Sequence, residues 1–306
     1  MSEGVSQNAL LRSIAGALGL EDPDLSEPRS CFVRTSDKLD LHLLDWGGNG
    51  PPVLLLHGGS LAARTWDYLA LLLRGGHRLI ALDLRGHGDS GWSGDYSVER
   101  FALDGLEALE AMGVSRYHLV GMSLGGLIAA EIALADADRV RSLALVDVAP
   151  GARLEATVRM RSFFATAAEM PSVDTAVELA MKASPNSNPE RLRYRMAFLL
   201  RKNSRGLMQW KRDERRMAHL KAYVERIDNL AQRVGGFERP VLLLRGARSP
   251  ALSSESAEAF AGKCQRGRWR EIADAGHNIQ EDNPVVLAAA LGEFWTSEDA
   301  VSRSRS

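Results

Sequence analysis

A single turn constrains this chain more than anything else in it. Gly121-Met122-Ser123-Leu124-Gly125 joins an apolar run, Tyr117-His118-Leu119-Val120, to a helix-length segment from Leu124 to Ala135. The backbone must pass from strand to helix within a few residues. That strains Ser123 and favours glycine two residues to either side, where a side chain would clash. The flanking sequence repeats the strand-then-helix pattern. Cys31 to Arg34 and Leu39 to Trp46 read as an opening antiparallel pair, turning near Ser36-Asp37. Val53-Leu54-Leu55-Leu56 is continuously apolar, as expected of a strand buried on both faces. Arg64 to Leu73 reads as a helix, Arg78 to Asp83 as a strand, and Ser97 to Met112 as a helix with Ser97 as N-cap. Leu143 to Asp147 is the next strand. The alternation predicts an α/β fold with a mostly parallel central sheet flanked by helices.

The pattern lapses from residue 151 to about 235 and resumes with Val241 to Leu244. A helix near Ser254 to Ala261, a strand at Trp269 to Ile272 and a last helix from Pro284 to Trp295 follow. The middle segment has helical patterns and no convincing buried strand, so it reads as a helical cap inserted between two sheet strands. The expected organisation is an N-terminal helical extension (1–29), a core (30–150 and 236–296), the cap (151–235) and a flexible tail (297–306). Leu10, Ile14 and Leu18 recur every four residues and mark a short amphipathic helix, most simply packed on its own domain. Glu3 and Arg12 make this segment a poor secretory signal.

A net charge of -1 argues against a nucleic-acid partner. No apolar run approaches the roughly 18 residues of a membrane span. The two cysteines, Cys31 and Cys264, are far apart and form no disulfide framework, which fits a reducing, cytoplasmic setting. Charge is unevenly spread, however: the cap holds seventeen basic and nine acidic residues. Solvated helical faces commonly carry such charges. Steering of an anionic substrate toward a cleft is the functional alternative.

Ser123 is the candidate nucleophile, because the helix starting at Leu124 aims its free N–H groups at the turn and favours negative charge there. His57-Gly58-Gly59-Ser60 ends an earlier strand. The N–H of Gly59, with that of Leu124, would form an oxyanion hole of two donors, each capable of about 3 kcal/mol. His57 itself reads as a hydrogen-bonded structural histidine, since one positioned base suffices. His277 is the one histidine of seven in a strand-end loop after the nucleophile and near the end of the chain, which suits a general base.

With these segments in hand, the chain resembles the α/β-hydrolase superfamily over about residues 30 to 296, most closely its cap-bearing esterases and C–C bond hydrolases. The resemblance rests on His57-Gly58-Gly59-Ser60, Asp83-Leu84-Arg85-Gly86-His87-Gly88-Asp89-Ser90, Gly121 to Gly126 and Ala275-Gly276-His277. Epoxide hydrolases and haloalkane dehalogenases are similar too, but they carry Asp where this chain has Ser123. The resemblance gives the Asp83 to Ser90 loop the part of a wall beside the site. It also locates a break in the pattern. Relatives carry the triad acid in a Gly-x-x-Asp loop after the strand matching Val241 to Arg245, and this chain reads Gly246-Ala247-Arg248-Ser249-Pro250. Asp147, ending the strand after the nucleophile helix, is a substitute that keeps the order Ser, Asp, His. A Ser–His pair oriented by Ser249 or a backbone carbonyl, or an inactive protein, are the other possibilities.

Met122, Trp66, Trp92 and Trp210 are candidates for a substrate-binding wall, with Leu124 beside them; core packing is the ordinary role of each. No metal spacing, nucleotide loop or cofactor lysine occurs, so no cofactor is expected. The expected partner is a small-molecule substrate, an anionic one being compatible with the basic cap. Ester hydrolysis through an acyl-enzyme is the leading expectation. C–C bond hydrolysis of an anionic vinylogous diketo acid and a non-enzymatic binder or sensor on a degenerate fold are the alternatives.

Overall fold

The long apolar runs become strands β1 (Arg29–Arg34), β2 (Asp40–Asp45), β3 (Pro52–Leu56), β4 (Arg78–Leu82), β5 (Tyr117–Met122) and β6 (Val140–Val146). The cap contributes β7 (Glu169–Met170), β8 (Leu200–Lys202) and β9 (Met208–Trp210), and the core closes with β10 (Val241–Gly246) and β11 (Gly267–Ile272). The computed structural model describes residues 7–151, 169–183, 187–215 and 229–303. Arg153, Arg159, Arg161, Arg216, Lys221 and Arg226, counted among the basic residues of the cap, lie outside the described residues.

The eight core strands form one sheet in the order β1-β2-β4-β3-β5-β6-β10-β11. The pairs β1/β2 and β2/β4 are antiparallel, and the others are parallel. Every residue of β5 is buried, as a central strand covered on both faces requires. Side chains alternate between two cores: Val53, Leu55, Val120 and Leu244 face one, and Leu54, Leu56, Leu119 and Leu243 the other. The first core is covered by α1 (Gln7–Ala17), α2 (Asp67–Leu73), α8 (Ile279–Asp282) and α9 (Pro284–Arg303). The second is covered by α3 (Val98–Ala111), α4 (Leu124–Ala135) and α7 (Ser254–Lys263). Ser97 caps α3 by accepting from the N–H of Arg100, an interaction typically worth about 1 kcal/mol.

Three expectations are refined. Leu11, Ile14 and Ala15 of α1 are buried, while Leu10 and Leu18 are partly so; the extension packs on the core near α2. The supposed tail is helical through Arg303, because α9 continues past Trp295. The cap is not purely helical either. Besides α5 (Val173–Ala183) and α6 (Pro189–Leu199) it holds an antiparallel sheet in the order β7-β9-β8, with strands of two or three residues, too short to leave an alternating signature.

The Asp83 to Ser90 loop fastens the end of this cap to the core. Asp213 N–H donates to Gly86 O at 2.8 Å, and Tyr96 Oη donates to Asp213 at 2.6 Å. Lys211 Nζ reaches Asp89 Oδ1 at 2.7 Å. Arg85 is fully buried beneath, with its Nε 2.6 Å from Asp104 Oδ2. Among the described residues, no helix is long and apolar enough to cross a membrane.

Candidate active site

The turn after β5 is as tight as its sequence demands. Ser123 takes φ 52° and ψ −117°, in a region few non-glycine residues occupy. A Cβ on Gly121 would lie 2.2 Å from the carbonyl oxygen of Gly125, and one on Gly125 would lie 2.2 Å from that of Leu56. The end of β3 is therefore pressed against the start of α4. The loop leaving β3 follows the same surface. A Cβ on Gly58 would meet Met122 Sδ at 2.5 Å and Ser123 Cβ at 3.5 Å, and one on Gly59 would meet Leu124 Cδ2 at 3.4 Å. Gly59 and Leu124 are thus neighbours beside Ser123.

His57 holds that loop. Leu84 N–H donates to its Nε2 at 3.0 Å, so the ring proton sits on Nδ1, which donates to Gly58 O at 2.8 Å. His57 is fully buried and structural.

His277 projects from the loop between β11 and α8. Its Nδ1 donates to Asp147 Oδ2 at 2.6 Å. Asp147 follows β6 with φ 53° and is 1% exposed. Its carboxylate also accepts from Gly246 N–H at 2.9 Å, and from the hydroxyl of Ser249. The backbone around it is close-packed: a Cβ on Gly246 would lie 2.1 Å from Gly276 O, next to His277. Three donors converge on one buried carboxylate, which holds the imidazole through its Nδ1 and leaves Nε2 facing away from Asp147. Ser249 stands where relatives are expected to carry the acid, and its hydroxyl supports Asp147 instead. Sequence reasoning treated Asp147 and Ser249 as rivals; they are partners, and only the adjacency of β6 and β10 reveals it. Among the described residues, no hydrogen bond reaches the Ser123 hydroxyl, so its contact with His277 is open in this structure.

The four wall candidates are placed unevenly. Met122 is buried against Gly58, below Ser123. Trp66 has no exposed surface and belongs to the core, because it ends a 3₁₀ turn (Ala63–Trp66) that points it inward. Trp92 is 41% exposed with the Arg201 guanidinium 5.1 Å from its ring centroid, an outer clasp between loop and cap. Trp210 is buried in the cap sheet beneath Arg212. The cleft between cap and core is lined instead by Leu61, Tyr68, Tyr194 and Phe198, with Arg64, Arg195 and Glu281 as charged members. Leu61 connects it to the turn, since its Cδ1 lies 3.6 Å from the Cβ position of Gly58 that also touches Ser123. Burial pushes the Glu281 carboxyl up, against the opposing pull of Arg195. Nearby Asp67 is pushed up by burial to about 6, against Arg64. Sequence reasoning counted Arg195 only as one of the cap's basic residues, suited to an anionic substrate, and missed Glu281. The only available signal was that Glu281 follows His277 by one helical turn.

His42, Asp83 and Asp89 bring three potential metal ligands together. Asp83, however, already accepts from Ala63 N–H at 2.6 Å, Asp89 N–H at 3.0 Å and His42 at 2.7 Å, and Asp89 binds Lys211. The group is a bonded anchor for the cap-fastening loop.

Comparison with known proteins places the fold in a family. The α/β hydrolase fold family matches residues 51–284. Esterase Rv0045c of Mycobacterium tuberculosis is 30% identical, over 93% of this chain and 94% of its own length. A solved structure of that esterase superposes with a TM-score of 0.76 at 29% identity, covering 94% of this chain and 98% of the other. The 3-hydroxybutyrate-oligomer hydrolase of Cupriavidus necator is 26% identical, over 89% of this chain and 99% of its own. Sheet order, the strained serine after β5 and a match across most of the chain lead to one conclusion: this protein belongs to the α/β-hydrolase fold family.

Proposed function

We propose that this chain is a serine hydrolase that cleaves small or medium carboxylic esters through an acyl-enzyme. The observation that carries the reading is the 2.6 Å contact between Asp147 and His277, made beside the strained Ser123. The similarity to a full-length relative named an esterase supports the bond type.

In this reading His277 Nε2 takes the hydroxyl proton of Ser123 as Oγ attacks the ester carbonyl. The oxyanion is held by the N–H groups of Gly59 and Leu124, at the positive end of α4. His277 then protonates the departing alcohol. Water, deprotonated by the same imidazole, releases the acid and restores Ser123. Asp147 keeps the imidazole in one tautomer and stabilises its positive charge, while Gly246 and Ser249 hold Asp147 in place. The Ser123–His277 hydrogen bond closes when substrate arrives, as such contacts commonly tighten in the bound complex. The mechanism requires no cofactor.

Hydrolysis of p-nitrophenyl acetate and butyrate by the wild type, Ser123→Ala and His277→Ala tests this, with a serine-reactive phosphonate label read by intact mass. Either variant should lose about 10⁵- to 10⁶-fold in kcat, and the label should vanish in Ser123→Ala. A wild type that neither turns over nor labels would overturn the reading. A second reading, C–C bond hydrolysis of an anionic diketo acid, is favoured by one observation: Arg195 of the cap lines the cleft. Ser123-dependent turnover of such an acid, without ester turnover, would select it.

A further inference from the structure

Building on the ester reading, we infer that the cleft under α6 is a subsite for a carboxylate carried by the substrate, with Arg195 as the residue that recognises it. Three guanidinium groups gather here, and two are engaged. Arg64 pairs with Asp67 at 3.2 Å and lies 5.0 Å from the Phe198 ring centroid. Arg191 donates to the main-chain oxygens of Glu281 and Asp282 and lies over Tyr68.

Arg195 differs from both. Its side chain is only 14% exposed, its Nε is buried without a partner, and it makes no hydrogen bond among the described residues. Among the described residues its one ion pair, to Glu281 Oε2, is long at 3.4 Å. A guanidinium offers five donors in a planar fork, and leaving its buried Nε without a partner is costly unless a ligand completes the fork. Glu281 does not fill that role, because it is held from its other side. Thr65 Oγ1 donates to Glu281 Oε1 at 2.9 Å, and Gln280 Nε2 donates to Thr65 at 2.9 Å. Burial also pushes the Glu281 carboxyl toward its neutral form, which weakens its hold on Arg195.

The position fits a substrate subsite. Leu61 lines the cleft and its N–H donates to Gly58 O at 3.0 Å. A Cβ on Gly58 would lie 3.5 Å from Ser123 Cβ, which puts that loop next to the nucleophile turn. The apolar walls, Leu61, Tyr68, Tyr194 and Phe198, close on a cavity of only about 10 Å³, so a substrate stem would have to part cap and core to lie between them. They also exclude water, which strengthens a charge-assisted contact. A bidentate contact to Arg195 is the natural mode for a carboxylate.

The test compares p-nitrophenyl butyrate with the p-nitrophenyl half-ester of glutaric acid, and phenyl acetate with 4-acetoxybenzoate. Together these place the charge on the acyl and on the alcohol side. The wild type should prefer the charged member of at least one pair by about 10- to 100-fold in kcat/KM. Arg195→Gln should bring that ratio close to one, and Arg195→Lys should retain part of it. Glu281→Gln, which removes the carboxylate oxygen that faces Arg195, should leave the ratio unchanged or raise it; a merely structural pair would lose in both variants. Calorimetric titration of glutarate into Ser123→Ala gives a readout independent of turnover, and should show binding that Arg195→Gln abolishes.

Equal ratios in wild type and Arg195→Gln would overturn the inference. So would glutarate binding that is absent or indifferent to Arg195. If no ester is hydrolysed but glutarate binds through Arg195, the ester reading fails and the subsite stands. If Arg195→Gln does not fold, Arg195→Lys, which should lose part of the ratio, and Glu281→Gln, which should not, still decide.

Discussion

Asp147 sits in left-handed backbone, at a cost of roughly 1 kcal/mol or more for a residue with a side chain. What holds it there is the set of donors on its carboxylate, and each can be removed separately. Asp147→Asn should lower kcat on p-nitrophenyl butyrate by about 10³- to 10⁴-fold, by favouring the wrong imidazole tautomer. Ser249→Ala should cost about tenfold, roughly 1.4 kcal/mol, the scale of one hydrogen bond to a charged group. The double variant Asp147→Asn with Ser249→Asp should recover at least about tenfold over Asp147→Asn alone, since it supplies a carboxylate from the neighbouring strand. No recovery would mean that the geometry at Ser249 cannot reach His277. The sequence made this arrangement half legible. Chain order pointed to Asp147, but nothing in the order says that a serine about a hundred residues later donates to it.

At the scale of elements, β5 and α4 are specified most tightly. Gly125→Ala would force a Cβ to 2.2 Å from the Leu56 carbonyl and should abolish soluble expression or lower Tm sharply. Gly16→Ala is the contrasting case: nothing lies within 4 Å of its Cβ position, at the end of α1. It should stabilise the fold by up to about 1 kcal/mol in a thermal melt. Strand β5 also carries a pH dependence. Burial drives the pKa of His118 down to about 3, beside Ser142 and Trp295. The unfolded chain takes up this proton near pH 6.5 and the folded chain does not, so stability is present above about 6.5 and is lost as pH falls toward 3. His118→Gln should flatten the acid side of a Tm-against-pH curve; an unchanged slope would assign it to other groups. The core strands were readable because burial on both faces leaves unbroken apolar runs, as in Val53 to Leu56. The cap strands were not, since two or three residues carry no period. Aromatic residues misled for a related reason: bulk predicts burial, and Trp66 is buried in the core while Tyr68, two residues on, reaches the cleft.

For the whole molecule, the Arg85–Asp104 pair is the deepest electrostatic element, with both side chains fully buried. Arg85→Met would leave Asp104 with Arg100 alone and should destabilise by about 3–5 kcal/mol in denaturant titration. Lys211→Ala should change stability by less than about 1 kcal/mol, because its partner Asp89 is half exposed. The loop that joins these pairs, read as a wall, does reach the Gly59 loop through His87; it also seats the cap, a role visible only once residues 208–213 are seen against it.

The meeting of Asp147 and Ser249 beside His277 bears on how such a site changes over evolutionary time. Two parallel strands end beside one another, with Ser249 of one donating to the Asp147 of the other that holds His277. If an aspartate at position 249 can also reach His277, the acid need not be lost from one strand before it arises on the other. A chain with carboxylates at both positions would keep a partner for the base at every step, and a later serine would retire one of them. On the proposed mechanism, the acid could then migrate across the sheet by single substitutions without an inactive ancestor. A scan that demands aspartate in the usual loop would discard descendants whose chemistry was never interrupted.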